Sequence, residues 1–387
     1  MSPPPNDATA PIGPLHGLRV IEFAGLGPGP VAGMLLADMG ADVIVIERAG
    51  PALPGLPRMA TTRGKRSIAL DLKSDAGRDA AWRLLASADA LIEGFRPGVM
   101  ERLGFGPDAV AARNAKLVYG RVTGWGQTGP LAQAAGHDIN YVALTGISTL
   151  AARPGQVPAL PATIVGDMAG GAMFLVFGIA CALLETQRSG RGQVIDAAMV
   201  DGVATLGALV QQMRHVGYWQ DAPSRNFFLH ASPFYDSFEC ADGKHVSFGA
   251  IEPAFYAELL QRLGLTDVDA SRQYEHSEWP ALRERIATLV KTLSRDEWCA
   301  RLEGSDACFA PVLDFDEAAA HPHLRARGTY VEVNGQRQPA PAPRLSRTPA
   351  HAPRPGAECG QHTDALLTEI GYPADVVRAM RERGDCA

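Results

Sequence analysis

A histidine and two carboxylates stand where a chain could use them to move protons. His137 opens an apolar helical stretch in Gly136-His-Asp-Ile-Asn-Tyr141, and Asp167 opens another in Val165-Gly-Asp-Met-Ala-Gly-Gly171. Imidazole and carboxyl are the right chemical types for a two-base acid/base pair. Each has a structural alternative, His137 as a satisfied structural histidine and Asp167 as an N-cap, where Asp is favoured. Glu252, immediately before Pro253, is either a first-turn carboxylate favoured by the helix dipole or the group that orients a histidine. A second constellation is basic: Arg48, then Arg63, Lys65, Arg66 and Lys73, then Arg96 and Arg102, all near the ends of predicted strands. Ligands of open α/β sheets bind beyond the strand C-termini, and the planar Arg fork matches phosphate oxygens. A solvated charged rim is the alternative.

Other motifs fall short of the chemistry they suggest. Gly25-Leu-Gly-Pro-Gly-Pro30, followed at a distance by Glu47, carries Pro30 where the dinucleotide fingerprint needs its third glycine. It reads as a tight turn in an α/β unit. Gly146-Ile-Ser-Thr-Leu150 lacks the closing glycine of a nucleophile elbow. His321-Pro-His323 has no carboxylate or thiol at ligand spacing, so no metal is expected there. Six scattered cysteines without a Cys-x-x-Cys pair argue against zinc and against a disulfide framework.

Positioning these groups falls to a chain of 387 residues, long enough for two to three domains, with a hydrophobic fraction of 46% that can fill a sizeable core. Lys plus Arg total 36 against 42 Asp plus Glu, a net charge of −6, so no global basic field would hold nucleic acid or an anionic membrane. Met1-Ser-Pro-Pro-Pro-Asn-Asp7 has no secretory pattern, and a cytoplasmic location is expected. Residues 168–184 are the most membrane-like stretch; interrupted by Gly170, Gly171 and Gly178 and short of the ~20 residues a crossing needs, they read as a buried core helix.

From residue 18 the pattern is strand (18–24), Gly/Pro turn, helix (31–39), strand (42–47), which is a βαβ unit. Apolar runs at 67–72, 90–95 and 117–122 alternate with helical patterns such as 76–86, predicting one open parallel sheet flanked by helices. Helices are predicted over 168–186 and 197–217, then a hairpin of 235–240 and 244–248 about Asp242-Gly243. Further helices fall at 255–263 and from Ser294, where Ser-Arg-Asp-Glu has capping-box spacing. The proline run from Pro339 to Pro355 is an extended connector, and 363–370 and 374–383 are tail helices. The expected division is a large Rossmann-like α/β domain over 12–220, completed by 340–387, with a smaller α+β domain over 228–330.

In combination these residues resemble a known family, the α-methylacyl-CoA racemases within the family III CoA-transferase superfamily. The resemblance runs from about residue 17 to the last helix. It rests on Leu18-Arg-Val-Ile-Glu-Phe23, Ala41-Asp-Val-Ile-Val-Ile-Glu-Arg48, Glu93-Gly-Phe-Arg-Pro-Gly-Val99, Thr123-Gly-Trp-Gly-Gln-Thr-Gly-Pro130 and Gly136-His-Asp-Ile-Asn-Tyr141. Gly190-Arg-Gly-Gln-Val-Ile-Asp-Ala-Ala-Met-Val-Asp-Gly202 and Gly249-Ala-Ile-Glu-Pro253 complete it.

The resemblance implies an interlocked homodimer whose sites lie between the large domain of one subunit and the small domain of the other. It implies that Arg48, Leu70, Asp71, Leu72, Lys73, Gly94, Phe95, Arg96 and Arg102 hold the nucleotide and pyrophosphate of CoA. Gly136, His137, Asp138, Ile139, Asn140 and Tyr141 would border the thioester and pantetheine end. Arg63, Lys65 and Arg66 are open as further phosphate contacts. In the transferases the aspartate matching Asp167 is a covalent nucleophile; in the racemases it pairs with a histidine, here His137, oriented by Glu252. The implied reaction is racemisation of 2-methylacyl-CoA thioesters through an enolate, with backbone N–H groups at the start of the Asp167 helix stabilising the enolate oxygen. No metal or redox cofactor is expected, CoA being part of the substrate. A CoA transferase using Asp167 covalently and a non-catalytic acyl-CoA binder are the rivals, and branched fatty, sterol-side-chain and arylpropionyl thioesters all stay open as substrates.

Overall fold

A computed structural model describes residues 13–50, 60–153, 155–220, 225–350 and 352–387. The Met1–Asp7 start and residue 12 of the expected domain boundary lie outside them. In chain order, β1 (Arg19–Phe23), α1 (Pro28–Asp38), β2 (Asp42–Glu47), β3 (Arg66–Ala69), α2 (Asp75–Ala86), β4 (Ala90–Glu93), α3 (Val99–Arg102), α4 (Pro107–Arg113), β5 (Val118–Thr123) and α5 (Asp138–Leu144) come first. A widened π-type turn, Ile164–Ala172, runs into α6 (Met173–Ser189), followed by β6 (Val194–Ala198), α7 (Met199–Leu206) and α8 (Ala208–His215). Then follow β7 (Tyr235–Glu239), β8 (His245–Gly249), α9 (Pro253–Arg262), α10 (Trp279–Val290), α11 (Arg295–Leu302), β9 (Phe309–Val312), α12 (Phe315–Ala320) and α13 (Pro322–Ala326). The hairpin β10 (Tyr330–Val333) and β11 (Gln336–Pro339) and the helices α14 (Thr363–Glu369) and α15 (Ala374–Arg383) complete the set.

Internal contacts divide the chain into two units. The first comprises the described residues up to Thr145 together with Pro161–Leu206 and Gly328–Ala387; the second is Gly146–Leu160 with Gly207–Arg327. The first unit is built on a six-stranded sheet in the order β3-β2-β1-β4-β5-β6, every pair parallel. Because successive side chains of a strand point to opposite faces, apolar runs such as Val20-Ile21 serve two cores at once. Ile21, Phe23, Ile44, Ile46, Leu91 and Tyr119 meet α2, α14 and α15 on one face. Val20, Val43, Ala90, Ile92, Val118 and Val122 meet α1 and α6 on the other. Each such leucine or isoleucine, fully buried, contributes about 1.5–3 kcal/mol.

Two sequence expectations are corrected here. The helix read through 197–217 is helical from Met199 to His215 but broken at Gly207 into α7 and α8, and its first two residues, Ala197 and Ala198, belong to the edge strand β6, which the sequence pattern did not predict. Its residues Val194-Ile-Asp-Ala-Ala198 run directly into α7 without a turn, so the helical pattern that follows hid the strand. The stretch read as too short for a membrane helix extends over Ile164–Ser189, 26 residues that are long and apolar enough to cross a bilayer by length and composition. The glycines do not interrupt it, because Gly170 lies against Val203 and Met199, where a Cβ would stand 2.6 Å from Val203 Cγ2. Nor is it buried all round. Leu175 and Ile179 are sealed against the sheet, whereas Met173, Phe177 and Leu184 are 53%, 67% and 51% exposed.

The second unit holds a three-stranded antiparallel sheet, β7-β8-β9, whose Phe238, Val246 and Phe248 pack with Leu259 of α9, Trp279 and Ile286 of α10 and Trp298 of α11. Ser294 and Glu297 form the expected capping box. Residues 146–160 join this unit through Arg153, whose guanidinium holds buried Asp236 at 2.9 and 3.1 Å; His230 and Arg283 bind the same carboxylate. Burial opposes ionisation of Asp236, yet Arg153, the Ser237 N–H, His230 and Arg283 together hold its pKa below the usual value.

Candidate active site

The strand order reverses direction between β1 and β4, the point where ligands settle on open α/β sheets. The basic and glycine residues singled out in the sequence lie on the loops that leave the strands at this edge. Arg48 follows β2, residues 70–73 follow β3, and residues 94–96 and Arg102 follow β4.

These loops are held from beneath. Leu70 is buried and its N–H donates to Glu47 O at 2.9 Å; Asp71 N–H donates to Asp385 O at 2.9 Å, and Leu70 bridges Cys386. Lys73 N–H donates to Asp71 Oδ1 at 3.0 Å, after which Ser74 caps α2. Buried Glu93, the last residue of β4, accepts from Phe95 N–H at 2.7 Å and fixes the Gly94-Phe95-Arg96 turn. Arg48, Lys73, Arg96 and Arg102 are all exposed, and among the described residues none of them forms an ion pair.

Arg63, Lys65 and Arg66 are different. Arg63 is bound by Asp38 at 2.6 Å and by Pro339 O at 2.7 Å. Lys65 is bound by Glu22 at 2.6 Å and by Pro30 O at 2.8 Å, and Arg66 by Asp42 and, at 2.7 Å, by Glu369. All three are thus engaged by carboxylates of the first unit, Arg63 and Lys65 buried and Arg66 part-exposed.

The chemical residues meet above β5. His137 is the N-cap residue of α5 and is exposed; its N–H donates to Asn140 Oδ1 at 3.0 Å, which holds the turn. Asp167 sits in the first turn of the π-type segment, half-buried, while the N-cap position is taken by Thr163 in the left-handed region (φ 62°). Asp167 is therefore not the cap that its residue type allowed. Asp138, 7% exposed, joins the two turns: its Oδ1 accepts from Gly166 N–H at 2.6 Å and Asp167 N–H at 2.9 Å. Those two N–H groups, expected to meet an enolate oxygen, are thereby occupied. Tyr141 donates its hydroxyl to Gly136 O and packs edge-on against Trp125, with ring centroids 4.8 Å apart. Burial and the Asp167 charge raise the Tyr141 pKa while Arg96 opposes them, which ties the β4 turn electrostatically to this corner.

Burial pushes the Asp167 carboxyl above the usual aspartate range, Asp138 adds to the rise and His137 opposes it. Position 27, at the head of α1, faces the same carboxylate; a Cβ there would stand 3.5 Å from Asp167 Oδ2. Of the 136–141 stretch, His137, Ile139 and Asn140 are exposed, whereas Asp138 and Tyr141 are turned inward. Glu252 belongs to the second unit, where it is the exposed N-cap residue of α9 and makes no side-chain capping bond. Recesses of about 660 and 380 Å³ in that unit are lined by none of the candidate residues. Sequence reasoning missed the Glu93 brace and the bridging role of Asp138, since neither partner set is local.

A match to CoA-transferase family III covers residues 15–363. The chain belongs to that family. It is 42% identical over 366 residues to the α-methylacyl-CoA racemase of Mus musculus, covering 94% of this chain and 95% of the relative. It is 38% identical to the α-methylacyl-CoA racemase of Homo sapiens over 94% of this chain and 95% of that one. A solved CAIB/BAIF family protein from Brucella suis superposes with a TM-score of 0.78 at 26% identity, over 93% of this chain and all (100%) of that one. Membership of family III accounts for the architecture found here, a six-stranded parallel sheet with a smaller antiparallel sheet.

Proposed function

We propose that this protein is an isomerase, a racemase of 2-methylacyl-CoA thioesters that acts by 1,1-proton transfer. The observation that carries the reading is an exposed His137 beside a half-buried Asp167, the two turns joined through Asp138, with burial and Asp138 raising the Asp167 pKa and His137 opposing the rise. The hydrogen next to a thioester carbonyl is weakly acidic because the electron pair left behind delocalises onto the carbonyl oxygen. Neutral His137 takes that proton from one epimer, the C–H pair becomes the enolate, and protonated Asp167 delivers a proton to the opposite face. Reversed, ionised Asp167 removes the proton and imidazolium returns one. Every proton is supplied by a side chain, so the chemistry calls for no metal or redox cofactor. CoA, held by Arg48, residues 70–73, residues 94–96 and Arg102, belongs to the substrate. Covalent catalysis by Asp167, which would use its ionised carboxylate as nucleophile, is the second reading, favoured by the family's other branch.

In deuterated water a single epimer should gain deuterium at the α carbon as it loses configuration. His137→Ala and Asp167→Asn should each slow this by about 10²-fold or more. Absence of deuterium from every 2-methylacyl-CoA tried, with acyl groups instead reaching free carboxylates through a hydroxylamine-sensitive Asp167 adduct, would replace the racemase by the transferase.

The finer assignment is a cytoplasmic homodimer with shared sites, Glu252 of one subunit orienting His137 of the other. The exposed apolar side of α6, with Met173, Phe177 and Leu184, supports a partner surface, and the free state of all six cysteines supports a reducing compartment. Inactive His137→Ala and Glu252→Ala chains, refolded together, should regain activity as heterodimers. Demonstrated heterodimers without activity would overturn the sharing.

A further inference from the structure

The turn that carries Asp167 is held by a carboxylate on the neighbouring element. A π-type turn leaves its early N–H groups without partners in the turn itself, so an outside acceptor must satisfy them. Asp138 is that acceptor, with both bonds to one oxygen, at 2.6 Å from Gly166 N and 2.9 Å from Asp167 N. The approach is close enough that Gly166 has no room for a side chain: a Cβ would stand 2.6 Å from Asp138 Oδ1 and 3.1 Å from its carbonyl oxygen. Asp138 also follows His137 directly, so the residue that grips the turn of the second proton carrier is the chain neighbour of the first, whose own turn Asn140 holds.

We infer that Asp138 is a positioning residue of the proposed racemase, its carboxylate clamping the Asp167 turn through Gly166 N–H and Asp167 N–H and setting a second negative charge beside Asp167, instead of contacting CoA. This rests on the reading of His137 and Asp167 as the proton carriers. That charge biases Asp167 toward keeping its proton, since a second negative charge beside a half-buried carboxyl disfavours ionisation. His137 faces Asp167 from the same turn as Asp138, and Tyr141 senses it from α5. The head of α1 brings Gly27 to the Asp167 carboxylate and Pro28 to Gly171, neither of them titratable, and α7 packs on the turn through Met199, Gly202 and Val203 with Asp201 exposed. On β5 Arg121 is engaged by Glu93 and Glu101, and on β6 Asp196 accepts from Gln127 N–H.

Asp138→Asn keeps an oxygen for both N–H bonds and removes the charge, whereas Asp138→Ala removes both. Deuterium exchange from each epimer, followed across pH, should show the Asp167 limb of the Asn variant moved to lower pH by up to about 1 unit, with KM for acyl-CoA unchanged. Exchange in which Asp167 donates should then fade sooner as pH rises, and exchange in which it accepts should persist to lower pH. The Ala variant, losing the clamp too, should fall in kcat by about tenfold or more beyond the Asn variant. Lower melting temperatures without any movement of the limb, or a raised KM in its place, would overturn the inference. A carboxyl ¹³C titration of Asp167, assigned by its loss in Asp167→Asn, reads the same bias without turnover. Wild-type Asp167 titrating at or below the ordinary aspartate value would reject it even if neither Asp138 variant folds. Should the wild-type protein exchange no α hydrogen, the racemase reading fails while this titration still decides the role of Asp138.

Discussion

Two sets of basic residues on the same sheet have opposite fates. Arg63, Lys65 and Arg121 are buried and each is bound to a carboxylate, Asp38, Glu22 and Glu93. Arg48, Lys73, Arg96 and Arg102 stand exposed on the loops beyond the strand ends and form no ion pair among the described residues. The same side chains are structural in one set and candidate ligand contacts in the other, and the difference lies in whether a carboxylate reaches them. Glu93 shows the two roles meeting in one residue: it neutralises Arg121 at 2.7 Å and holds Phe95 N–H, one residue before Arg96.

The comparison can be broken from either side. Lys65→Met should cost about 3–5 kcal/mol in denaturant unfolding, because it strands Glu22 as a buried carboxylate. Replacing both partners, Lys65→Met with Glu22→Leu, should recover most of that loss. If the single variant is as stable as the wild type, the buried pairs are not what separates the two sets. Arg102→Ala should leave the unfolding midpoint alone and raise KM for acyl-CoA by about tenfold, roughly the 1.5 kcal/mol of one charge-assisted hydrogen bond. Added salt should raise the wild-type KM in the same direction and change that of the variant less. A lowered midpoint with unchanged KM would move Arg102 into the structural set.

What the sequence made legible was local. Strands β1 to β5 are short apolar runs closed by Gly, Pro or charged residues, and their helices carry the intervening pattern. β9 escaped because Pro311 stands inside it, tolerable in a strand at the margin of its sheet. The site's residue types and its place at the strand ends were readable; their pairing was not. Arg63 meets Asp38 and Gln338, and Lys65 meets Glu22, partners fixed only by the packed sheet. The clamp of Asp138 on Gly166 and Asp167 spans 28 and 29 residues and leaves no periodic trace.

The pairing of Leu70 with Cys386, and of Ala387 N–H with Ala69 O at 3.1 Å, bears on the order in which the protein is made. The β3 exit loop and the face covered by α14 and α15 are completed by residues synthesised some three hundred positions after the strands they cover. A nascent chain therefore carries an open apolar sheet face, with Ile21, Ile44, Ile68 and Leu91 lacking part of their cover, through most of its elongation. Contacts of such long sequence separation form slowly, and exposed sheet faces are the surfaces that aggregate and that chaperones hold. Yield in expression should thus depend on the integrity of α14, α15 and the 385–387 segment more than on any single residue of the β1–β5 core.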